Sequence, residues 1–232
     1  MAERIRDRIE QARGRMAEAA VRVGRDPDEV ELIAVTKTVQ VPRIREAIEA
    51  GATVLGENRI QEAADKIALL SAFPIRWHLI GHLQTNKSRA AAELFEVIHS
   101  LDSIKLAAAL DRHGAALQKR IRVLVEVNLE GEPSKSGILE HDLVPLLDAC
   151  RQFSNLVIDG LMAIPPFRKH PEDVRPFFRR LRLLRDEAAK LYPNYPLRHL
   201  SMGMSHDFEV AIEEGATLVR IGTAIFEARP EG

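Results

Sequence analysis

One feature narrows the fold more than any other: an alternation carried along nearly the whole chain. Eight apolar runs of strand length lie at 31–37, 53–58, 75–82, 96–101, 121–128, 157–164, 197–202 and 217–221. Between them run helical patterns at 42–50, 60–70, 86–95, 103–118, 143–153, 171–191 and 206–214, and a last helical stub follows the eighth run. Such alternation predicts a parallel sheet with helices on its faces. Eight units in about 200 residues fit a closed (β/α)8 TIM barrel with short loops; an open doubly wound sheet is the other arrangement of the same elements. Ahead of the first strand, Ile5, Ile9, Ala12, Met16, Ala19 and Val23 recur at three and four residues. That spacing makes an extra amphipathic helix over 1–24, packed on the barrel. Residues 47–53 and 211–217 echo each other, each a helix end at a glycine followed by a strand start, which supports repeated geometry. No linker or low-complexity stretch divides the chain, so a single domain over 1–232 is expected.

Charge and cysteine content exclude several functions. The net charge is −1 and the pI ≈ 6.7, so no field favours nucleic acid or an anionic membrane. The apolar runs are too short to span a bilayer, and the first fifteen residues carry charge throughout, unlike a signal peptide. Cys150 is the one cysteine; it rules out an internal disulfide or a cysteine metal cluster, and reads as a core residue on a helix. A cytoplasmic monomer is expected.

In a barrel of this kind, chemistry belongs at the C-terminal ends of the strands. The first run, Leu32-Ile33-Ala34-Val35, leads into Lys37, which shares a face with Val35 and Ile33. Facing the barrel, its amine is partly desolvated, which lowers its pKa and frees a nucleophile for an aldehyde; otherwise it only marks the wet end of the strand. The loops after strands seven and eight read Ser201-Met202-Gly203-Met204-Ser205 and Gly222-Thr223. They offer hydroxyls and glycine-bared amides where barrels bind phosphate. Arg220 sits inside the apolar run 218–221. It reads either as half of a buried structural ion pair or as a donor-only group facing a ligand. Asn58 either reaches that ligand or caps the following helix, and His82 either lines the pocket or is a core histidine. His78 and His82 are spaced as in a zinc helix but lie in a strand, about 13 Å apart, so no metal is expected. His206 and Asp207 open a helix and read as caps. Lys135, after strand five, reads as a solvated loop lysine or as a second site for an aldehyde.

Several segments together carry a resemblance: Ala34-Val35-Thr36-Lys37, Gly56-Glu57-Asn58-Arg59, residues 77–84 with Asn86-Lys87, Val127-Asn128 with Lys135-Ser136-Gly137, Gly160-Leu161-Met162, Leu200 to Ser205 with Asp207, and residues 220–226. With these motifs the chain resembles the pyridoxal-phosphate homeostasis proteins over nearly its full length, departing at Glu227, where that family usually has glycine. The resemblance implies a barrel like the N-terminal domain of alanine racemase, with pyridoxal 5'-phosphate held as a Schiff base on Lys37. It implies Ser201, Met202, Gly203, Gly222 and Thr223 around the phosphate, Arg220 at the pyridine nitrogen, and Asn58 and His82 nearer the ring. It also implies a protein that carries or buffers the cofactor, with apo forms of pyridoxal-phosphate enzymes as its partners and no catalytic residues of its own. An amino-acid racemase, or another enzyme of that fold, is the alternative. It needs a second base that racemases take from a separate domain, and no such domain is evident in 232 residues. A Schiff-base aldolase acting on a sugar phosphate is a third reading, disfavoured because Arg220 and Asn58 have tasks around a pyridine ring.

Overall fold

A computed structural model describes residues 4–132 and 135–227. The eight strands close into a parallel barrel in chain order: β1 (Glu31–Val35), β2 (Val54–Glu57), β3 (Arg76–Leu79), β4 (Val97–Leu101), β5 (Ile121–Glu126), β6 (Leu156–Met162), β7 (His199–Met204) and β8 (Leu218–Ile221), with β8 pairing back to β1. The closed (β/α)8 arrangement, not the open sheet, is the one these elements adopt.

Period-two alternation divides each strand between two cores. Ile33, Val54, Val97, Leu124, Met162 and Leu218 fill the barrel interior as a separate apolar cluster. The opposite face of the strands packs against the surrounding helices, whose apolar stripes carry residues such as Ile44, Leu110, Leu147 and Phe178. Those helices are α2 (Val41–Glu49), α3 (Ile60–Leu69), α4 (Ser88–Leu94), α5 (Ile104–Ala116), α6 (Leu143–Cys150), α7 (Arg175–Leu191) and α8 (Phe208–Glu213), with a short α9 (Thr223–Phe226) after β8. The added N-terminal helix, which we label αN (Ile5–Arg22), packs against α2, α8 and α9 through Ile5, Ile9, Ala12, Met16 and Ala19. Cys150 is buried on α6, as its position suggested. No helix of the described residues is long and apolar enough to cross a membrane.

Glu227, the position where the sequence departs from the expected pattern, sits at φ 63°, a conformation that disfavours a side chain bearing Cβ. Its carboxylate is held there by an ion pair with Arg8 of αN.

The strands end earlier at the mouth than the apolar runs suggested. Lys37, Asn58, His82, Asn128 and Ile164 lie beyond their strands, in the βα-loops. β7 runs on to Met204 instead of ending at Met202. Asp207 holds the N-cap position of α8 but makes no cap bond; its Oδ1 accepts from the amide of Met204 at 2.7 Å, while His206 is exposed and its ring stacks near Phe167. The capping reading of these two residues is therefore corrected: the carboxylate tightens the β7 turn instead.

Candidate functional site

At the C-terminal mouth of the barrel lies a cleft of ≈ 250 Å³. Its apolar walls are Val35, Ile80, Ile164 and Met204; its polar groups are Lys37, Asn58, Ser205, His206, Arg220, Gly222 and Thr223. Five residues singled out from sequence therefore meet here: Lys37, Asn58, Arg220, Gly222 and Thr223. Asn58 also borders an adjoining recess with His82 and Lys87.

Arg220 forms the floor. It is 4 % exposed, and its NH1 and NH2 donate to Ser201 Oγ at 2.6 Å and to the carbonyl of Ala163 at 2.9 Å. Among the described residues no carboxylate lies within ion-pair distance of it, so the structural ion-pair reading does not hold. Burial lowers its pKa to about 10, with the more distant Asp207 and Glu126 pulling the other way, so it stays charged at neutral pH. A buried guanidinium lacking a paired anion is costly unless its free donors serve a ligand.

Below it runs a buried polar chain. Ser201 Oγ lies 3.0 Å from His99 Nδ1, and His99 Nε2 lies 3.0 Å from His78 Nδ1. Burial drives both imidazoles down, His78 to about 3, so both are neutral. Ser201, expected at the phosphate, is thus fully buried as a prop under Arg220 and does not line the cleft. β7 continues past it, and its inward position there falls one layer below the mouth. Met202 is fully buried in the outer core, and Gly203 (φ 90°), still within β7, packs closely against Phe208 and Ala211 of α8. The serine that reaches the mouth is Ser205, whose Oγ accepts from the amides of Gly222 and Ala224 at 3.3 Å each. The loop was legible in sequence; which serine belongs to it depends on where β7 ends.

Two further expectations are corrected. Lys37 is exposed at the mouth and not desolvated against the barrel wall, because β1 ends two residues earlier. His82 is also exposed and pairs with Asp102 at 3.3 Å in the adjoining recess instead of lining the cleft. His78, its apparent zinc partner, points inward to His99. Asn58 precedes the N-cap position of α3, which Arg59 holds, so capping is not its task. Lys135 is tied to Glu130 and Glu132.

Glu126, at the end of β5, carries no signal in the sequence that sets it apart. It is 6 % exposed, and its Oε2 has no hydrogen-bond partner among the described residues. Burial, reinforced by Asp102, raises its pKa from 4.5 to about 7 against the pull of Arg220. The folded value exceeds the unfolded one, so the stability contribution is intact below pH 4.5 and is lost as pH rises toward 7. Glu126→Gln has no proton to lose. Its stability relative to the parent is expected to grow by roughly 2–3 kcal/mol between pH 5 and pH 8, measured by urea unfolding without ligand. A difference that does not change with pH would mean that Glu126 is solvated or paired.

A parallel barrel that presents a lysine, a buried arginine with no carboxylate partner among the described residues and a hydroxyl-and-amide loop at one mouth defines a (β/α)8 barrel with a ligand-sized cleft and an amine at its C-terminal face. The chain matches the model of the alanine racemase N-terminal domain over residues 6–230. It is 45% identical over 223 residues to a pyridoxal phosphate homeostasis protein of Aquifex aeolicus, covering 96% of this chain and 97% of that one. It is likewise 45% identical over 228 residues to one of Pseudomonas aeruginosa, covering 98% and 97%. The solved structure of PipY from Synechococcus elongatus PCC7942, with PLP bound, superposes with a TM-score of 0.85 at 38% identity, covering 96% of this chain and 100% of that one. The chain belongs to the alanine racemase N-terminal domain family and, within it, to the group of the pyridoxal phosphate homeostasis proteins.

Proposed function

We propose that this protein holds pyridoxal 5'-phosphate reversibly on Lys37 and passes it to apo-enzymes, without vigorous catalysis of its own. The observation that carries the reading is Arg220: a buried, charged guanidinium with no carboxylate partner among the described residues, set into the floor of a cleft that also presents an amine. The residues fit the cofactor. Gly222, Thr223 and Ser205 supply amides and hydroxyls for the phosphate, Asn58 a side-chain amide near the ring, and Lys37 the amine. PipY, whose structure holds PLP, and the relatives named for pyridoxal phosphate homeostasis support the same ligand.

When bound, the cofactor supplies an aldehyde and an electron-withdrawing ring. Arg220 has donors only and keeps its proton, so facing the ring nitrogen it would leave that nitrogen unprotonated and weaken the electron sink. Lys37 stands at the open rim, where water reaches it, an arrangement suited to release more than to protecting a reacting carbanion. In this reading the carrier works as a single-domain cytoplasmic monomer.

The test is transfer. Loaded protein mixed with an apo-enzyme dependent on pyridoxal 5'-phosphate is expected to restore activity in proportion to the cofactor supplied, while single L-amino acids incubated with it keep their chirality. Sustained multiple-turnover racemisation, shown by chiral chromatography, would replace this reading with the enzymatic one.

A further inference from the structure

Both neighbours of Lys37 are gripped from α3. Thr36 is fully buried; its Oγ1 donates to Glu57 Oε1 at 2.6 Å, and its carbonyl accepts from Lys66 Nζ at 2.6 Å. On the other side, the amide of Thr38 donates to Glu62 Oε1 at 2.6 Å. The same Lys66 ammonium also donates to Glu57 Oε1 and to Glu62 Oε1, each at 2.7 Å. An ammonium has three protons, and all three are used here: on the backbone of Thr36, on the carboxylate that holds the Thr36 side chain, and on the carboxylate that holds the Thr38 amide. Lys66 is 6 % exposed.

The segment so gripped is strained. Thr38 lies at φ 62°, a region a β-branched residue seldom enters, and such a conformation persists only where its surroundings over-determine it. Without the grip, this turn would relax toward an ordinary conformation and carry Lys37 with it. Ion pairs inside a fold are more often ballast than machinery, but this one converges on the two peptide units that flank a single functional side chain.

We infer that Lys66, with Glu57 and Glu62, is a positioning residue for Lys37: its ammonium clamps the strained turn so that the Lys37 amine is presented to the cleft. The inference rests on Lys37 being the tether. Condensation of that amine with an aldehyde forms a C=N bond and releases water, so it depends on where Nζ sits; binding of the ring and phosphate does not.

The experiment separates these two contributions. Affinities are measured for pyridoxal 5'-phosphate and for 4-deoxypyridoxine 5'-phosphate, which keeps the ring and phosphate but has a methyl group in place of the aldehyde. Lys66→Met is expected to weaken the aldehyde by about tenfold and the deoxy compound by less than about twofold. Glu62→Gln, a nearly isosteric change at a partly exposed position, is expected to act in the same direction by about threefold. Equal weakening of both ligands, or unchanged affinity for both, in folded variants would overturn the inference while leaving Lys37 as tether. If the parent protein itself binds the two ligands alike, the tether reading falls and the clamp falls with it.

Discussion

Lys37→Ala protein is expected to lose its covalent hold on pyridoxal 5'-phosphate completely: the visible band of the adduct disappears and borohydride traps nothing above background. The size of the effect follows from the other amines near the mouth. Lys66 is closest along the fold, but it is buried and engaged with three acceptors at 2.6–2.7 Å. Lys135 is paired with Glu130, whose hydrogen bond raises its pKa, and so it stays protonated and a poor nucleophile. Lys87 lines the adjoining recess, not the cleft. None of these three amines replaces the first. The ring and phosphate contacts remain, so weak non-covalent binding should persist in equilibrium dialysis. A trapped adduct of undiminished yield in Lys37→Ala would assign the chemistry to another lysine.

Gly160→Ala is expected to damage the barrel more than any change at the mouth. Gly160 pairs with His199 of β7, and a Cβ there would collide with the His199 carbonyl group, its carbon lying only 2.7 Å away. The obstacle is backbone in a closed sheet, so neither a rotamer change nor a local shift relieves it. Overpacking of this kind costs roughly 3 kcal/mol or more, lowering Tm by about 10 °C. A Tm within about 1 °C of the parent would show that β6 and β7 can part at this point without loss.

The barrel itself was plain in the sequence because local rules decide it. Runs such as Ile121–Glu126 alternate between inner and outer core with period two, and the intervening helices bury apolar stripes. The strand ends were less plain. Val35 and Lys37 share a parity, yet β1 stops at Val35, and only closure of the turn by Lys66 and Glu62 shows why Lys37 emerges into solvent. Ser201 and Ser205 looked interchangeable in one loop. Their separation into a prop beneath Arg220 and a residue of the mouth depends on the register of β7 against β8, which carries an irregularity between Ser201 and Met204. The chain from His78 through His99 and Ser201 to Arg220 joins four strands spread over more than half of the sequence, so no local pattern encodes it. Glu126 is similar: its raised pKa is a property of the closed barrel mouth and not of the segment Val125-Glu126-Val127.

Where Lys37 stands therefore decides the account: an exposed amine over a buried, unpaired guanidinium, between two clamped threonines. The most direct measurement is borohydride reduction of the loaded parent protein, followed by proteolysis and mass spectrometry of the pyridoxyl-labelled peptides. A single label on the peptide containing Lys37 is the expected result. Label concentrated on Lys66, Lys87 or Lys135, or no label at all, would contradict it.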